Sequence, residues 1–325
     1  MLRDKKDEVG IMLGVGVVGV GFWGKQHARN FASIEKTKLV AVCDVREEEA
    51  RKVGKTYGVD WYTDLDEFLR REDMDAVSIC TPTSAHFEVA TKSILSGKHV
   101  LLEKPMTADV EKALKLVEYA KEQGVFLMIG FIERFNPGVL RVIKVLKSGV
   151  IGDPVMSISR RVGPYWPDRV KDVGVVSDSA IHDIDLARYI FRSEIASVYA
   201  VGGRLKHRFE DYVAIMLHLT NGLSCVIEAN WLTPRKKREL IITGEKGIIK
   251  LDNLSQKISI ESDEWEMSSS AEWEEPLRKE LEYFAECIIE RKQPYPSGED
   301  GVKALQVINA VLESMKQKKV VELNW

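Results

Sequence analysis

A glycine-rich stretch near the start of the chain limits its possible folds more than any other feature. Gly19, Gly21 and Gly24 have the spacing G-x-G-x-x-G, but Gly14, Gly16 and Gly19 have the same spacing one frame earlier. In the earlier frame the following helix would contain several glycines, each costing roughly 1 kcal/mol relative to alanine. In the later frame an apolar run precedes the motif and a mostly polar helical segment follows it, as a strand–loop–helix unit requires. We therefore place the motif at Gly19, Gly21 and Gly24.

An aspartate follows this motif at the distance typical of dinucleotide-binding units. Asp44 ends the apolar run 39–43, about twenty residues after Gly24. A carboxylate there accepts hydrogen bonds from the ribose hydroxyls of NAD and repels the 2′-phosphate of NADP, although an aspartate at this place is also a common helix cap. Arg46 leaves NADP possible. The pattern predicts an NAD site formed by Gly19, Gly21, Phe22, Trp23, Gly24, Asp44 and Arg46.

The composition predicts an ordinary soluble protein. The 325 residues are 45% hydrophobic and 30% charged, with a formal charge of −3, which gives no basic surface for nucleic acid. No apolar run is long enough to cross a membrane, and residues 1–12 form a charged extension unlike a secretory signal. The four cysteines are widely spaced, which predicts core thiols in a reducing compartment and no metal site. We expect a cytoplasmic protein.

The hydrophobic pattern divides the chain into two parts of different fold class. Residues 13–135 alternate apolar strands with helices, which predicts an α/β Rossmann domain with a doubly wound parallel sheet that binds NAD. Residues 136–325 predict an α+β domain, a mainly antiparallel sheet with helices, for substrate binding and oligomerisation. The acidic, serine-rich segment 261–275 is predicted to be a loop. The segment 212–217 is apolar on both faces, which favours contact with a second subunit and hence a homo-oligomer, a dimer or tetramer.

Polar residues follow several predicted parallel strands, whose carboxyl ends share one edge of the sheet and face the ligand. Lys104 directly follows a buried strand, where its cation would stabilise a developing alkoxide, unless it is a solvated lysine in a turn. Glu103 is expected either to hold Lys104 or to contact the ribose, and His86 is either a cofactor contact or a cap-region residue. The candidate cofactor contacts at these ends are Thr81, Pro82, His86, Glu103 and Lys104.

The second half of the chain has one stretch suited to proton transfer. Helical spacing places Asp178, His182 and Asp185 on one face. A histidine accepts a proton from a hydroxyl at neutral pH, and a neighbouring carboxylate, here Asp178, orients it. Asp183 points elsewhere, and Asp185 is expected to be a structural partner, for example of Arg188. The alternative is that His182 is an ordinary core histidine whose hydrogen bonds are made within the protein. The histidines at 27, 99, 207 and 218 lie in no similar motif.

Four motifs, in this order, resemble the Gfo/Idh/MocA oxidoreductase family: the glycine stretch 19–24, Thr81-Pro82 with His86, Glu103-Lys104-Pro105, and Asp178 with His182. The resemblance covers nearly the whole chain after residue 12. It implies a Rossmann domain, a C-terminal sheet domain, and oxidation or reduction of a sugar or cyclitol carbon with NAD or NADP. It also implies that Lys104, Asp178 and His182 are catalytic.

A finer resemblance concerns the substrate. Residues 131–137 and 172–176 look like the branch that oxidises the 3-hydroxyl of UDP-N-acetylglucosamine to a keto group. The segment 160–169 is arginine-rich and would suit a diphosphate, unless it is a solvated loop. The candidate substrate contacts are Arg134, Asn136, Trp166 and Arg169. Related branches act on inositols, free sugars or other nucleotide sugars.

Two other functions remain as alternatives. Some members of the family are non-catalytic regulators that sense the cofactor, and such a protein needs the glycine loop but neither Lys104 nor His182. The second alternative is reduction of a non-sugar carbonyl or imine by NADPH. Asp44 argues against this function because its carboxylate would repel the 2′-phosphate of NADPH.

Overall fold

The structure is a computed structural model that describes residues 12–166, 172–269 and 272–325. The described residues form two compact units, and neither unit is a single stretch of sequence. The first unit contains residues 12–103, 115–130 and 277–298, and the second unit contains the described parts of 104–114, 131–276 and 299–325. Glu103 and Lys104 are therefore consecutive residues assigned to different units.

The first unit is built on a six-stranded sheet in which every neighbouring pair is parallel. The strand order is β3-β2-β1-β4-β5-β6, so the order reverses beside β1. The central strands are buried on both faces, and the apolar side chains of β1 lie in the core. The predicted Rossmann sheet is confirmed. Its strands are β1 (Leu13–Val18), β2 (Thr37–Cys43), β3 (Asp60–Tyr62), β4 (Ala76–Ile79), β5 (His99–Glu103) and β6 (Leu127–Gly130).

Helices follow these strands as the alternating pattern predicts. They are α1 (Phe22–Phe31), α2 (Glu47–Tyr57), α3 (Leu65–Leu69), α4 (Thr83–Leu95) and α5 (Val110–Gln123). A 3-10 turn, Ile132–Phe135, precedes α6 (Pro137–Lys147), and Asn136 caps α6 through a hydrogen bond from the Gly138 amide. Late in the chain α8 (Pro276–Ile289) returns to the first unit, whereas nearly all of α9 (Gly298–Gln317) belongs to the second.

The second unit contains a nine-stranded sheet of order β14-β13-β12-β11-β7-β10-β9-β8-β15. Its pairs are antiparallel except β10 with β7, which confirms the predicted mainly antiparallel sheet. The strands are β7 (Pro154–Pro164), β8 (Ile195–Gly203), β9 (Tyr212–Leu219), β10 (Ser224–Asn230), β11 (Leu232–Gly244), β12 (Gly247–Asp252), β13 (Lys257–Glu261), β14 (Glu266–Ser269) and β15 (Val321–Glu322). The helix α7 (Ile181–Phe191) follows a π-helical turn, Val176–Ala180.

Two local features differ from the sequence expectation. The predicted loop 261–275 contains β14, an exposed edge strand paired with β13. An edge strand in solvent needs no apolar face, so its polar sequence gave no strand signal. The π-helical turn before α7 inserts an extra residue into what we expected to be one regular helix, and it changes the direction of Asp178 relative to His182.

Among the described residues no helix is long and apolar enough to cross a membrane. The same residues contain no group of three or more His, Cys, Asp or Glu side chains arranged to hold a metal ion.

Candidate active site

The three glycines of the motif have three different structural roles. Gly19 has a φ of 82°, the left-handed region that favours glycine. A Cβ on Gly24 would lie 1.9 Å from the carbonyl oxygen of Gly19, so helix α1 packs against the loop only because Gly24 has no side chain. A Cβ on Gly21 would meet nothing within 4 Å, so the backbone at the start of α1 is open to a ligand. The positive end of a helix and its free amides suit a pyrophosphate.

Two aromatic residues stand at the start of α1, where the motif predicts cofactor contacts. Phe22 is 40% exposed, and its ring meets the ring of Trp23 edge to face, with 5.6 Å between centroids. Phe22 therefore presents an apolar surface at the open end of the glycine loop.

Asp44 is held rigidly at the end of β2. Its Oδ2 accepts a hydrogen bond from the Val20 amide at 2.9 Å, and its Oδ1 accepts from the Arg46 amide at 2.9 Å. The guanidinium of Arg46 also donates to Asp44, with Nε at 3.2 Å from Oδ1. The carboxylate thus connects the glycine loop to the β2 strand end, where the sequence predicts a ribose contact. Together with the open loop at Gly21, this arrangement fits an NAD cofactor.

His86 stabilises the loop after β4. Its Nε2 lies 2.9 Å from the carbonyl oxygen of Thr81, and Pro82 is the N-cap of α4. The ring is buried. Of the two roles open for His86, this bond supports the cap-region role.

Glu103 is buried at the last position of β5, and its carboxylate contacts a histidine that the sequence did not single out. Glu103 Oε1 lies 3.1 Å from Nε2 of His27, in α1. Both residues belong to the first unit. The only signal for His27 was its position in α1, on the buried side with Gly24 and Phe31.

Lys104 forms an ion pair with Asp178 inside the second unit. Its Nζ donates to Oδ1 of Asp178 at 3.0 Å and to the backbone carbonyl oxygen of Asp178 at 2.8 Å. The lysine side chain is 9% exposed and the aspartate side chain 27% exposed. The structure therefore brings together two of the three predicted catalytic residues, which are 74 positions apart in the chain.

His182 lies in the first turn of α7 and is buried. Its Nδ1 has no hydrogen-bond partner among the described residues. Burial lowers the pKa of His182 well below 6.5, and the positive charges of Lys104, Arg161, Arg238 and Lys236 lower it further. The imidazole is therefore neutral at physiological pH and able to accept a proton.

The prediction that Asp178 orients His182 is wrong, because the hydrogen bonds of the Asp178 carboxylate go to other residues. Asp178 bonds to Lys104 through Oδ1, and its Oδ2 accepts from the hydroxyl of Ser179 at 3.2 Å. The π-helical turn ends between Asp178 and His182, so the regular helical spacing behind the prediction does not apply. Within the described part of the chain Asp178 positions the lysine instead of the histidine.

A buried ion network fixes the start of α7. Arg161 donates through Nε to Asp183 Oδ2 at 2.6 Å and through Nη1 to Glu133 Oε1 at 2.9 Å. Arg238 donates to the same Glu133 oxygen at 3.1 Å. These two arginines hold the pKa of Glu133 at about 2, although burial opposes the shift. Because Asp183 is next to His182, the network holds the turn of α7 that carries the histidine.

Two of the four predicted substrate contacts are buried within the second unit, and the prediction for them is wrong. Arg134 donates to both oxygens of Asp185, at 2.8 and 2.6 Å, and to Asp300 at 2.9 Å. Asp185 thus has a structural role as expected, but its main partner is Arg134, since Arg188 is 4.0 Å away. Asn136 donates to Glu133 and to the carbonyl oxygen of Asn253, each at 3.0 Å, besides capping α6. Arg134 is 3% exposed and Asn136 2% exposed, because their polar groups are used inside the protein.

The other substrate predictions have mixed outcomes. Trp166 is 50% exposed, at the end of the described segment 12–166. Arg169 lies outside the described residues. Arg160, in the arginine-rich segment, pairs with Glu228 at 2.7 Å, and Arg161 is buried in the network above. Two of the arginines expected to suit a diphosphate therefore have carboxylate partners.

Comparison with known proteins places nearly the whole chain in one group of enzymes. A family model described as an oxidoreductase family with an NAD-binding Rossmann fold matches residues 13–131. A companion model, described as the C-terminal alpha/beta domain of an oxidoreductase family, matches residues 143–323.

Two of the relatives are named for different substrates. The chain is 30% identical to a myo-inositol 2-dehydrogenase of Thermotoga maritima, over 95% of this chain and 98% of the relative. It is 33% identical to the UDP-N-acetylglucosamine 3-dehydrogenase of Acidithiobacillus ferrooxidans, over 77% of each chain. A crystal structure of that Acidithiobacillus enzyme superposes with a TM-score of 0.85 at 29% identity, over 95% of this chain and all of the other.

Proposed function

The chain belongs to the Gfo/Idh/MocA oxidoreductase family, and we propose that it oxidises the 3-hydroxyl of UDP-N-acetylglucosamine or of a related nucleotide sugar. It is an NAD-dependent oxidoreductase that acts on hydroxyl groups of sugars or cyclitols. The observation that carries the reaction type is the partly buried Lys104–Asp178 pair together with the buried, neutral His182. This arrangement supplies a cation for an oxyanion and a base for a proton.

The residues divide the alcohol oxidation between them. His182 accepts the hydroxyl proton, since its imidazole is uncharged before the reaction. Lys104 stabilises the negative charge that develops on the oxygen, and Asp178 holds the ammonium of Lys104 in place. Gly19, Gly21, Gly24 and Asp44 would hold NAD. The bound cofactor would supply a hydride acceptor for the carbon that carries the hydroxyl, so that the alcohol would lose one proton and one hydride and become a ketone.

Cations near His182 support an anionic substrate over a neutral one. Lys104, Arg161, Arg238 and Lys236 each lower the pKa of His182, although Lys104 is paired with Asp178 and Arg161 with Asp183 and Glu133. The diphosphate of a nucleotide sugar gains from positive charge near the site, whereas a neutral inositol does not. The 33% identity to a UDP-N-acetylglucosamine 3-dehydrogenase supports the same substrate.

Oxidation of an inositol is the second candidate. It rests on the 30% identity to a myo-inositol 2-dehydrogenase over 95% of the chain. The same three catalytic residues serve this reaction, because both substrates present a secondary hydroxyl on a six-membered ring.

A substrate screen tests the proposal. UDP-N-acetylglucosamine, UDP-glucose, myo-inositol, scyllo-inositol and free hexoses are each mixed with enzyme and NAD or NADP, and formation of the reduced nicotinamide is followed by absorbance. We expect the highest kcat/KM with UDP-N-acetylglucosamine and NAD. Turnover of inositols without turnover of any nucleotide sugar contradicts the substrate. Binding of NAD without oxidation of any compound favours the regulator instead.

The cofactor preference rests on one carboxylate. Asp44, held by the Val20 and Arg46 amides, repels a 2′-phosphate at the ribose position. Asp44→Ser is expected to lower kcat/KM with NAD and to raise it with NADP, leaving the guanidinium of Arg46 to bind the phosphate. An unchanged NAD-to-NADP ratio contradicts the assigned ribose contact.

We also propose that the protein is a cytoplasmic homo-oligomer that associates through the sheet of its second unit. One face of the nine-stranded sheet carries a row of exposed apolar side chains. Tyr199 pairs with Met216 across β8 and β9, and Ile158 lies two strands further along the same row. These side chains are 40%, 54% and 44% exposed. Such a surface favours a second copy of the chain. Light scattering at micromolar concentration is expected to give a dimer or tetramer, and a monomer contradicts it.

A further inference from the structure

His27 has no part in the reaction described above, yet it is buried and bonded at both ring nitrogens. It is 0% exposed, in the middle of α1. Its Nδ1 lies 2.8 Å from the hydroxyl of Ser78 in β4, and its Nε2 lies 3.1 Å from the carboxylate of Glu103 in β5. One side chain thus joins the cofactor-loop helix to two neighbouring strands of the sheet.

The carboxylate that His27 contacts has little freedom to move. A Cβ added to Gly130, at the end of β6, would lie 3.0 Å from Oε1 of Glu103 and 3.1 Å from its Cδ. Glu103 is 8% exposed. The carboxylate is therefore confined between His27 on one side and the backbone of Gly130 on the other.

A second carboxyl group lies close to this pair and fixes the distribution of charge. Glu280, in α8, is 0% exposed, and both of its oxygens have no hydrogen-bond partner within the described residues. Burial and the negative charge of Glu103 raise the pKa of Glu280 well above 4.5. The neighbouring Cys80 and Glu103 raise the pKa of His27, despite the opposing effect of burial. The raised pKa values favour a protonated His27 and a protonated Glu280 in this buried site.

We propose that His27 is a positioning residue for Lys104, which it serves by fixing the carboxylate of Glu103 at the end of β5. Lys104 is the next residue in the chain, so any displacement of Glu103 moves the start of the segment that presents the ammonium group. Because α1 begins at the glycine loop, the same contact ties the end of β5, at Glu103, to the cofactor loop. The inference rests on the proposed function, in which Lys104 stabilises the oxyanion.

A leucine at position 27 tests the proposal, with a matched control at the other end of the same strand. His99 begins β5, and its Nδ1 accepts a hydrogen bond from the Phe126 amide at 2.9 Å. Both His27→Leu and His99→Leu remove a histidine hydrogen bond from β5, and both are expected to lower Tm. His27→Leu is expected to lower kcat about 10- to 100-fold, because a displacement of about 1 Å at a catalytic group costs up to that much. His99→Leu is expected to leave kcat within about twofold.

The conservative variant separates positioning from simple packing. His27→Gln keeps a donor for Glu103, so it is expected to recover most of the kcat lost in His27→Leu. If His27→Leu does not fold, Gly130→Ala gives the same test, since its methyl group displaces the Glu103 carboxylate while His27 stays in place. Equal kcat in His27→Leu and the wild type, or in Gly130→Ala and the wild type, overturns the proposal. So does a loss of kcat in His99→Leu equal to that in His27→Leu.

A measurement without turnover keeps this proposal distinct from the proposed function. The Lys104 side chain is 9% exposed, so acetic anhydride is expected to acetylate it slowly in the wild type, as read by mass spectrometry of its peptide. Faster acetylation of Lys104 in His27→Leu but not in His99→Leu supports positioning, even if the substrate screen finds no activity. Equal acetylation rates in all three proteins overturn it.

Discussion

His27 and His182 are both buried in helices, and their surroundings have opposite charge. His27, in the first unit, lies beside Glu103 and Cys80, which raise its pKa. Burial lowers the pKa of His182, in the second unit, and the positive charges of Lys104 and three further cations lower it more. The same side chain is thus a fixed cation in one place and a neutral base in the other. Neighbouring charge, rather than burial alone, decides which role a buried histidine takes.

The largest effect is expected from the histidine in the positive environment. His182→Ala is expected to lower kcat about 1,000-fold, within the range of 10²–10⁴ for loss of a general base. Binding of NAD, measured by fluorescence titration, is expected to stay nearly unchanged. His218→Ala, at an exposed position in β9, serves as the control and is expected to keep full activity. A His182→Ala enzyme that retains more than about a tenth of kcat contradicts the role of general base.

The lysine beside that histidine is expected to give the next largest effect. Lys104→Met keeps an unbranched side chain, one atom shorter, but removes the charge, and we expect kcat to fall about 100- to 1,000-fold. Lys98→Met is a matched control, because Lys98 is also partly buried and donates to backbone carbonyls, at 2.9 Å to Arg71 and 2.7 Å to Met74. The control is expected to lose stability and to keep kcat. Equal turnover by both variants contradicts the role of Lys104.

The pH dependence of activity gives a sharper test of the positive environment. The folded-state pKa of His182 lies well below 6.5, so activity that needs the neutral ring is expected to persist below pH 6.5 and to fall only as the pH approaches the lowered pKa. Lys236→Met removes one of the cations, so the acid limb of kcat/KM is expected to move to higher pH. An acid limb at the same pH in both proteins contradicts the electrostatic origin of the shift.

The smallest effect concerns the stability of the buried cluster formed by His27, Glu103 and Glu280. The pKa values of Glu280 and His27 are raised on folding, so their contribution to stability is present at low pH and is lost as the pH rises through the folded-state values. The Tm of the wild type is therefore expected to fall on the alkaline side. Glu280→Gln, neutral at every pH, is expected to lose less Tm between about pH 7 and 9.

A control on the same helix checks this result. Glu286, also in α8, is exposed and pairs with Lys36 at 2.8 Å. Glu286→Gln is expected to keep the wild-type dependence of Tm on pH. If Glu280→Gln and Glu286→Gln follow the wild-type curve equally closely, Glu280 does not carry a proton in the folded protein.

Local sequence patterns were enough for the fold and for the cofactor loop. The frame of the glycine motif follows from the strand before it and the helix after it, and the structure gives each glycine a separate role. Lys104 was identified from its place after a buried strand. In each case the relevant physics acts within about twenty residues.

The pairing of charged groups was not predictable in the same way. Asp178 bonds to Lys104 and Arg134 bonds to Asp185, and these partners are 74 and 51 positions apart. The expectation that Asp178 and His182 lie on one face of a regular helix was wrong because a π-helical turn lies in that stretch. Arg134 and Asn136 were assigned to a substrate because polar residues at a strand end suggest a ligand, whereas burial makes them partners of other protein groups.

The sequence did contain a weak signal for the cluster around His27. Glu280 lies on the apolar side of α8, between Leu277 and Phe284, both of which are buried. A carboxylate at a core position of a helix indicates either a partner or a retained proton. The sequence does not show that α8 joins the first unit, so it did not connect Glu280 with Glu103.

The most direct test of the opposite roles of the two histidines is a nitrogen-15 NMR titration of the imidazoles, with His27→Gln and His182→Ala used to assign the signals. At pH 7 we expect His182 to give the signals of a neutral ring, with one protonated nitrogen, and His27 to give those of a cation. A cationic His182 at pH 7 contradicts its role as the base that accepts the hydroxyl proton.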